Sequence, residues 1–238
     1  MNSLNAKARI AGFLYLALVA IGPIALVYVP SVLFVSGNAI ATTHNIATHE
    51  SLLRIGIFAD LVSATLFIFV VLAIYQLLST VNRSWAVVMV ILGIVQVPIF
   101  FLNTLNEVGA LQFASGASYL SAFTPGQREA MTMFFVTLHH YGVVVNEAFW
   151  GLWLLPFGML VYKSGFLPRI LGALLILNGC AYVAQNVADV LFPQFTTIVD
   201  TISSPFQLGE VAITLWLLIM GANEKRPPIP GTPSRDAT

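Results

Sequence analysis

Apolar residues run through this chain in long, nearly unbroken stretches separated by short polar connections. Six stretches stand out, at approximately 10–34, 55–79, 84–106, 131–162, 167–191 and 205–222. Each holds most or all of the roughly 20 apolar residues that a helix needs to cross the hydrocarbon core of a bilayer. The runs are continuous rather than alternating, which fits helices and not the strands of a membrane barrel. The expected fold is therefore all-α, a polytopic bundle of six transmembrane helices forming one domain over residues 1–222. Residues 223–238, with "EKRPPIPGTPSRDAT", read as a disordered, Pro-rich cytoplasmic tail.

The first stretch admits a second reading. Lys7 and Arg9 precede it and "NAIA" follows it, ending at Ala41, an arrangement that a cleaved signal peptide also shows. The apolar run exceeds the roughly 7–15 residues of a signal core, so an uncleaved first helix is expected.

Orientation follows from lysine and arginine. With both termini in the cytoplasm, the inner side holds Lys7, Arg9, Arg83, Lys163, Arg169, Lys225, Arg226 and Arg235, and the outer side only Arg54 and Arg128. That imbalance is a positive-inside bias. "YKSGFLPR" reads as a tight cytoplasmic turn, with Gly165 in the left-handed position that ends one helix and Pro168 opening the next. An outer loop is expected at 35–53 and another near 114–129, the latter starting the fourth helix at "TPGQRE".

Composition sharpens this picture. Hydrophobic residues make up 58% of the 238 and charged residues 8%, where a soluble domain carries about 25% charged. The lipid bilayer is thus the first partner. A net charge of zero leaves no broad basic surface, so no nucleic-acid partner is expected. Cys180 is the only cysteine, so no internal disulfide can form.

The polar residues that remain inside the apolar stretches are the candidate chemistry. Asp60 lies in the outer part of the second helix, and Asn103, Asn106 and Glu107 at the outer end of the third. His139 and His140 fall in the outer half of the fourth, with Asn146 and Glu147 near its middle. Asn178, Gln185, Asn186 and Asp189 follow on the fifth, and Gln207 and Glu210 on the sixth. The inner halves are nearly free of ionisable groups. His140 and Glu147 are seven apart, as are Asn178 and Gln185, offsets that share a helix face.

An ionised group facing lipid near the midplane costs about 2.5–3.5 kcal/mol on insertion scales. Five carboxylates at these depths cannot all face lipid. The simplest expectation is one polar pocket between helices, open to the outer face and sealed by apolar packing below. Asp60, Glu107, His139, His140, Asn146, Glu147, Gln185, Asp189 and Glu210 are its ligand-binding candidates.

Each has a plainer reading. The amides serve as interhelical glue, at roughly 0.6 kcal/mol per bond on average. Glu107 can sit at headgroup level, and Asp60 can pair with Arg54. Asp60, Glu147 and Glu210 are the strongest functional candidates, because a carboxyl group kept from water can hold a proton at neutral pH and pass it on. His139 and His140 are adjacent and point about 100° apart on a helix, so they cannot easily chelate one ion together. There is no HExxH and no Cys–His cluster, so neither a metal nor a cofactor is expected.

"ARIAGFLYL", "LRIGIFADLV", "LHHYG", "LVYKSGFLPRILGALL" and "GEVAITLWLLIMG" resemble the bacterial family known as domain of unknown function 4386, over about residues 7–222. The resemblance implies a bacterial multi-pass membrane protein and carries no activity with it; the expected location is the cytoplasmic membrane. It places Arg54, Asp60, His140 and Glu210 within the similar stretches. Three functions stay open: a protein binding a small molecule or lipid, a membrane-embedded enzyme using carboxylate or imidazole acid–base chemistry on a lipid or isoprenoid, and a small transporter. The lack of an internal repeat speaks against the last.

Overall fold

The computed structural model describes residues 3–223, and the expected tail lies outside them apart from Asn223. The described chain is helical with no strand, and six helices are long and apolar enough to cross a membrane. Helix α1 spans Leu4–Leu33. The short α2 covers Ala39–Thr48, α3 Glu50–Leu78, α4 Arg83–Ser115, α5 Pro125–Lys163 and α6 Arg169–Leu191. The sixth crossing, Pro193–Ile219, consists of two helices, α7 (Thr196–Ser203) and α8 (Leu208–Ile219), each preceded by a 3₁₀ turn.

Five of the six crossings are longer than the apolar runs that revealed them, and α6 is two residues shorter than its run. Helix α4 continues to Ser115, so Asn103, Asn106 and Glu107 lie within the helix rather than at its end. Helix α5 starts at Pro125, where Thr124 and Gln127 cap it reciprocally: Thr124 N donates to Gln127 Oε1 at 2.8 Å and Gln127 N to Thr124 Oγ1 at 3.3 Å. That pairing satisfies amides left open at a helix start. Gly165 takes φ 73° and α6 begins directly after Pro168, as the turn sequence led one to expect.

Two elements depart from the sequence expectation. The outer loop at 35–53 contains helix α2, whose N-terminus is capped by Asn38 Oδ1 accepting from Ala41 N at 3.0 Å. Thr42 fastens α2 to the end of α1, accepting from Val35 N at 2.9 Å and donating to Val35 O at 3.2 Å. The other departure is in α1, which widens to a π turn over Ile24–Tyr28, with Val29 N–H reaching Ile24 O. Pro30 follows at once and has no N–H to return to the preceding turn, a common setting for a helix irregularity.

The chain divides into two compact units. The first takes the described residues up to Leu16, then Ile68–Val95 and everything described from Glu147 onward. The second takes Ala17–Phe67 and Gln96–Asn146. In the first, α5 and α6 meet through glycines. A Cβ on Gly158 would lie 2.7 Å from Gly172 O, and one on Gly151 would lie 2.6 Å from Gly179 O. In the second, Val29, Leu33, Ile46, Leu53, Ala110, Leu111 and Val136 form a buried apolar core that includes one residue of α2. Large apolar side chains such as Phe58, Leu102 and Ile170 are about two-thirds exposed. On helices of this composition that outward surface belongs to lipid.

Candidate functional site

The residues singled out from the sequence fall into two sets, one in each unit. In the second unit, α3, α4 and α5 each send one ionisable side chain inward. Asp60, Glu107 and His139 are buried and bring one ligand-type atom apiece to within 4.8 Å of one another. Among the described residues, His139 Nδ1 receives no hydrogen bond, and both oxygens of Asp60 and Glu107 Oε2 have no partner other than the facing carboxyl group. His139 is therefore the histidine that faces inward, while the adjacent His140 is exposed and tilted against Tyr141, with ring centroids 5.6 Å apart.

Helix α5 is held at this point by amides. Asn103 Nδ2 donates to His139 O at 3.0 Å, and Asn106 Nδ2 donates to Asn103 Oδ1 at 2.9 Å. Asn103 approaches so closely because Gly142 has no side chain; a Cβ there would run into the Asn103 amide. Asn146 is buried, with Oδ1 unpartnered. Arg54 is paired, with Glu50 one turn earlier at 2.6 Å, and not with Asp60. Both partners are exposed, and such surface pairs contribute about 0–1 kcal/mol.

The first unit holds the remaining candidates. Glu210, the first-turn acid of α8, accepts from Tyr15 Oη at 2.6 Å and from Asn178 Nδ2 at 3.1 Å. These bonds tie α8 to α1 and α6. Tyr15 is buried, 6.3 Å from the Trp153 ring, which in turn stacks on Phe157 at 5.3 Å. A second network starts at Gln185, whose Nε2 donates to Asp200 Oδ1 at 3.0 Å while its Oε1 accepts from Gln207 Nε2 at 3.4 Å.

Glu147 is half-buried with Oε2 unpartnered, and the carboxylates of Asp189 and Asp200 are close enough to act on it electrostatically. Trp150, one turn from Glu147, meets Tyr182 edge to face at 5.7 Å. Asp200 escaped sequence reading because it lies before the apolar run of the sixth crossing. Tyr15 escaped because an aromatic residue in a greasy stretch reads as packing. A tyrosine hydroxyl buried in hydrocarbon does need a partner, and that was the signal available.

The family model described as Domain of unknown function (DUF4386) matches residues 10–221. The chain belongs to this family. A curated relative of this DUF4386 protein, an uncharacterized protein from Archaeoglobus fulgidus, is 34% identical over 73 residues. That match takes in 31% of this chain and 42% of the relative, so the chain spans less than half of that protein's length. No solved structure matches. The DUF4386 chain is thus a multi-pass membrane protein with helices of the expected number, in a family that brings no activity with it.

Proposed function

We propose that the protein is a binding protein of the bacterial cytoplasmic membrane, with both termini inside, that holds a donor-rich small molecule or lipid headgroup at the acid–amide face of its first unit. The observation that carries the reading is the gathering of Glu147, Asp189 and Asp200, none of which is salt-bridged to a lysine or arginine among the described residues. Acidic groups beside hydrocarbon need a donor or a cation, and Glu147 Oε2 has none among the described residues. Gln185 and Gln207 add amide groups next to the acids, and Trp150 and Tyr182 offer the ring faces that cations favour. A primary amine or a zwitterionic headgroup has the matching chemistry. The orientation rests on the lysine and arginine distribution along the sequence, and the bacterial membrane on the family resemblance.

A catalytic reading would fall on Tyr15 and Glu210. Both carboxylate oxygens of Glu210 are already engaged, by Tyr15 and Asn178, which suits a fastener between helices better than proton transfer.

Native mass spectrometry of the protein released in mild detergent tests the binding reading. A copurifying mass is expected on the wild type and should be lost from Glu147→Gln and Asp189→Asn, which keep side-chain shape. Equal occupancy in all three proteins, or no bound mass on the wild type, would overturn it.

A further inference from the structure

The second unit carries a cluster that this binding face does not use. Asp60 on α3, Glu107 on α4 and His139 on α5 converge with ligand atoms no more than 4.8 Å apart. Their exposures are 1%, 3% and 7%. Buried polar atoms nearly always have a hydrogen-bond partner. Here, among the described residues, His139 Nδ1 has no partner, and both oxygens of Asp60 and Glu107 Oε2 have none beyond the other carboxyl group. The geometry points to a site for one divalent transition-metal ion, held by the Asp60 and Glu107 carboxylates and a ring nitrogen of His139.

Three considerations support the assignment. Two carboxylates and one divalent cation make a neutral group, which is what a site inside a membrane helix cluster requires. One imidazole nitrogen with two carboxylate oxygens suits Zn²⁺, Mn²⁺ or Fe²⁺, whereas Ca²⁺ and Mg²⁺ prefer oxygen alone. Three ligand atoms about 2.0–2.2 Å from one ion lie at most about 3.8 Å from one another on average, so from separations of up to 4.8 Å the side chains close by up to about an ångström, within reach of small side-chain rotations.

The surroundings are also those of a supported site. Metal-binding residues are commonly held by a further layer of hydrogen bonds, and Asn103 and Asn106 fix the α5 backbone at His139. Asn146 lies seven residues beyond His139, on the same helix face, with a buried, unpartnered Oδ1 that could join the ion. No linear spacing announces such a site, because each ligand comes from a different helix.

The test uses the full, untagged chain in detergent, stripped with a chelator and dialysed against Zn²⁺ or Co²⁺. Bound metal is measured by inductively coupled plasma mass spectrometry, and Co²⁺ also by its visible spectrum. The wild type should take up about one ion per chain and release protons as it does so. His140→Ala should bind as the wild type does. Asp60→Asn, Glu107→Gln and His139→Ala should each lose affinity about tenfold or more. A wild type that binds no metal would overturn the assignment and leave a carboxyl pair sharing a proton. Variants that bind as the wild type does would overturn it too. Should the variants fail to fold, the wild-type Co²⁺ spectrum decides: visible bands of low-coordinate cobalt support the site, and their absence sinks it.

Discussion

Tyr15 shows how much one hydroxyl can matter in a dry interior. Its Oη reaches Glu210 Oε2 across 195 positions of sequence, at 2.6 Å, between two spanning helices. Tyr15→Phe removes the donor and leaves a carboxylate oxygen unpaired, at about 1–3 kcal/mol for an orphaned buried polar group. The expected result is a clear drop in thermal unfolding temperature in detergent. Thr65→Val, which removes a hydroxyl bonded only to its own helix, serves as the neutral control. Unchanged stability in Tyr15→Phe would mean that Glu210 is satisfied some other way. At this scale the sequence exposed the acids and the histidine pair, because ionisable residues stand out in an apolar run. It could not expose their partners, since Tyr15 and Asp200 look ordinary where they stand in the chain.

Among the elements, the α5–α6 pair is organised by small residues. Gly151 and Gly158 are seven apart on α5, and Gly172 and Gly179 seven apart on α6, so each pair lies along one helix face. Their facing backbones leave no space for a methyl group, the close approach by which small residues join helices in lipid. Gly158→Ala would place Cβ 2.7 Å from Gly172 O and should destabilise by about 1–3 kcal/mol through overpacking. Gly22→Ala, at a helical glycine with open space, should instead gain up to about 1 kcal/mol from helix propensity. Denaturation of the two variants side by side reads the difference; equal effects would refute the packing argument. The six helices themselves were legible from hydropathy. The glycine faces were not read, because a glycine gives no sign of whether another helix lies against it. Helix α2 was missed for a related reason: its polar sequence reads as loop, and it is held by Thr42 and Ile46 meeting the rest of the second unit.

For the whole molecule, the lysine and arginine bias predicts that both termini face the cytoplasm. In a Cys180→Ala background, Ser36→Cys should react with a membrane-impermeant maleimide on intact cells. Ser164→Cys, in the turn between α5 and α6, should react only after permeabilisation. The reverse pattern would invert the topology and place the acid–amide face differently with respect to the two compartments.

The sequence by itself determined the membrane, the number of crossings and which ionisable residues sit among apolar ones. Those properties depend on local composition, and a bilayer reads composition one segment at a time. Tertiary structure decided which of these residues meet. It turned His139 in and His140 out, joined Asp60 and Glu107 to the former, and bound Glu210 to Tyr15 instead of to a neighbouring acid. The reason is geometric: each contact joins residues from separate helices, and helix rotation and register are set by packing, which no single stretch of chain contains.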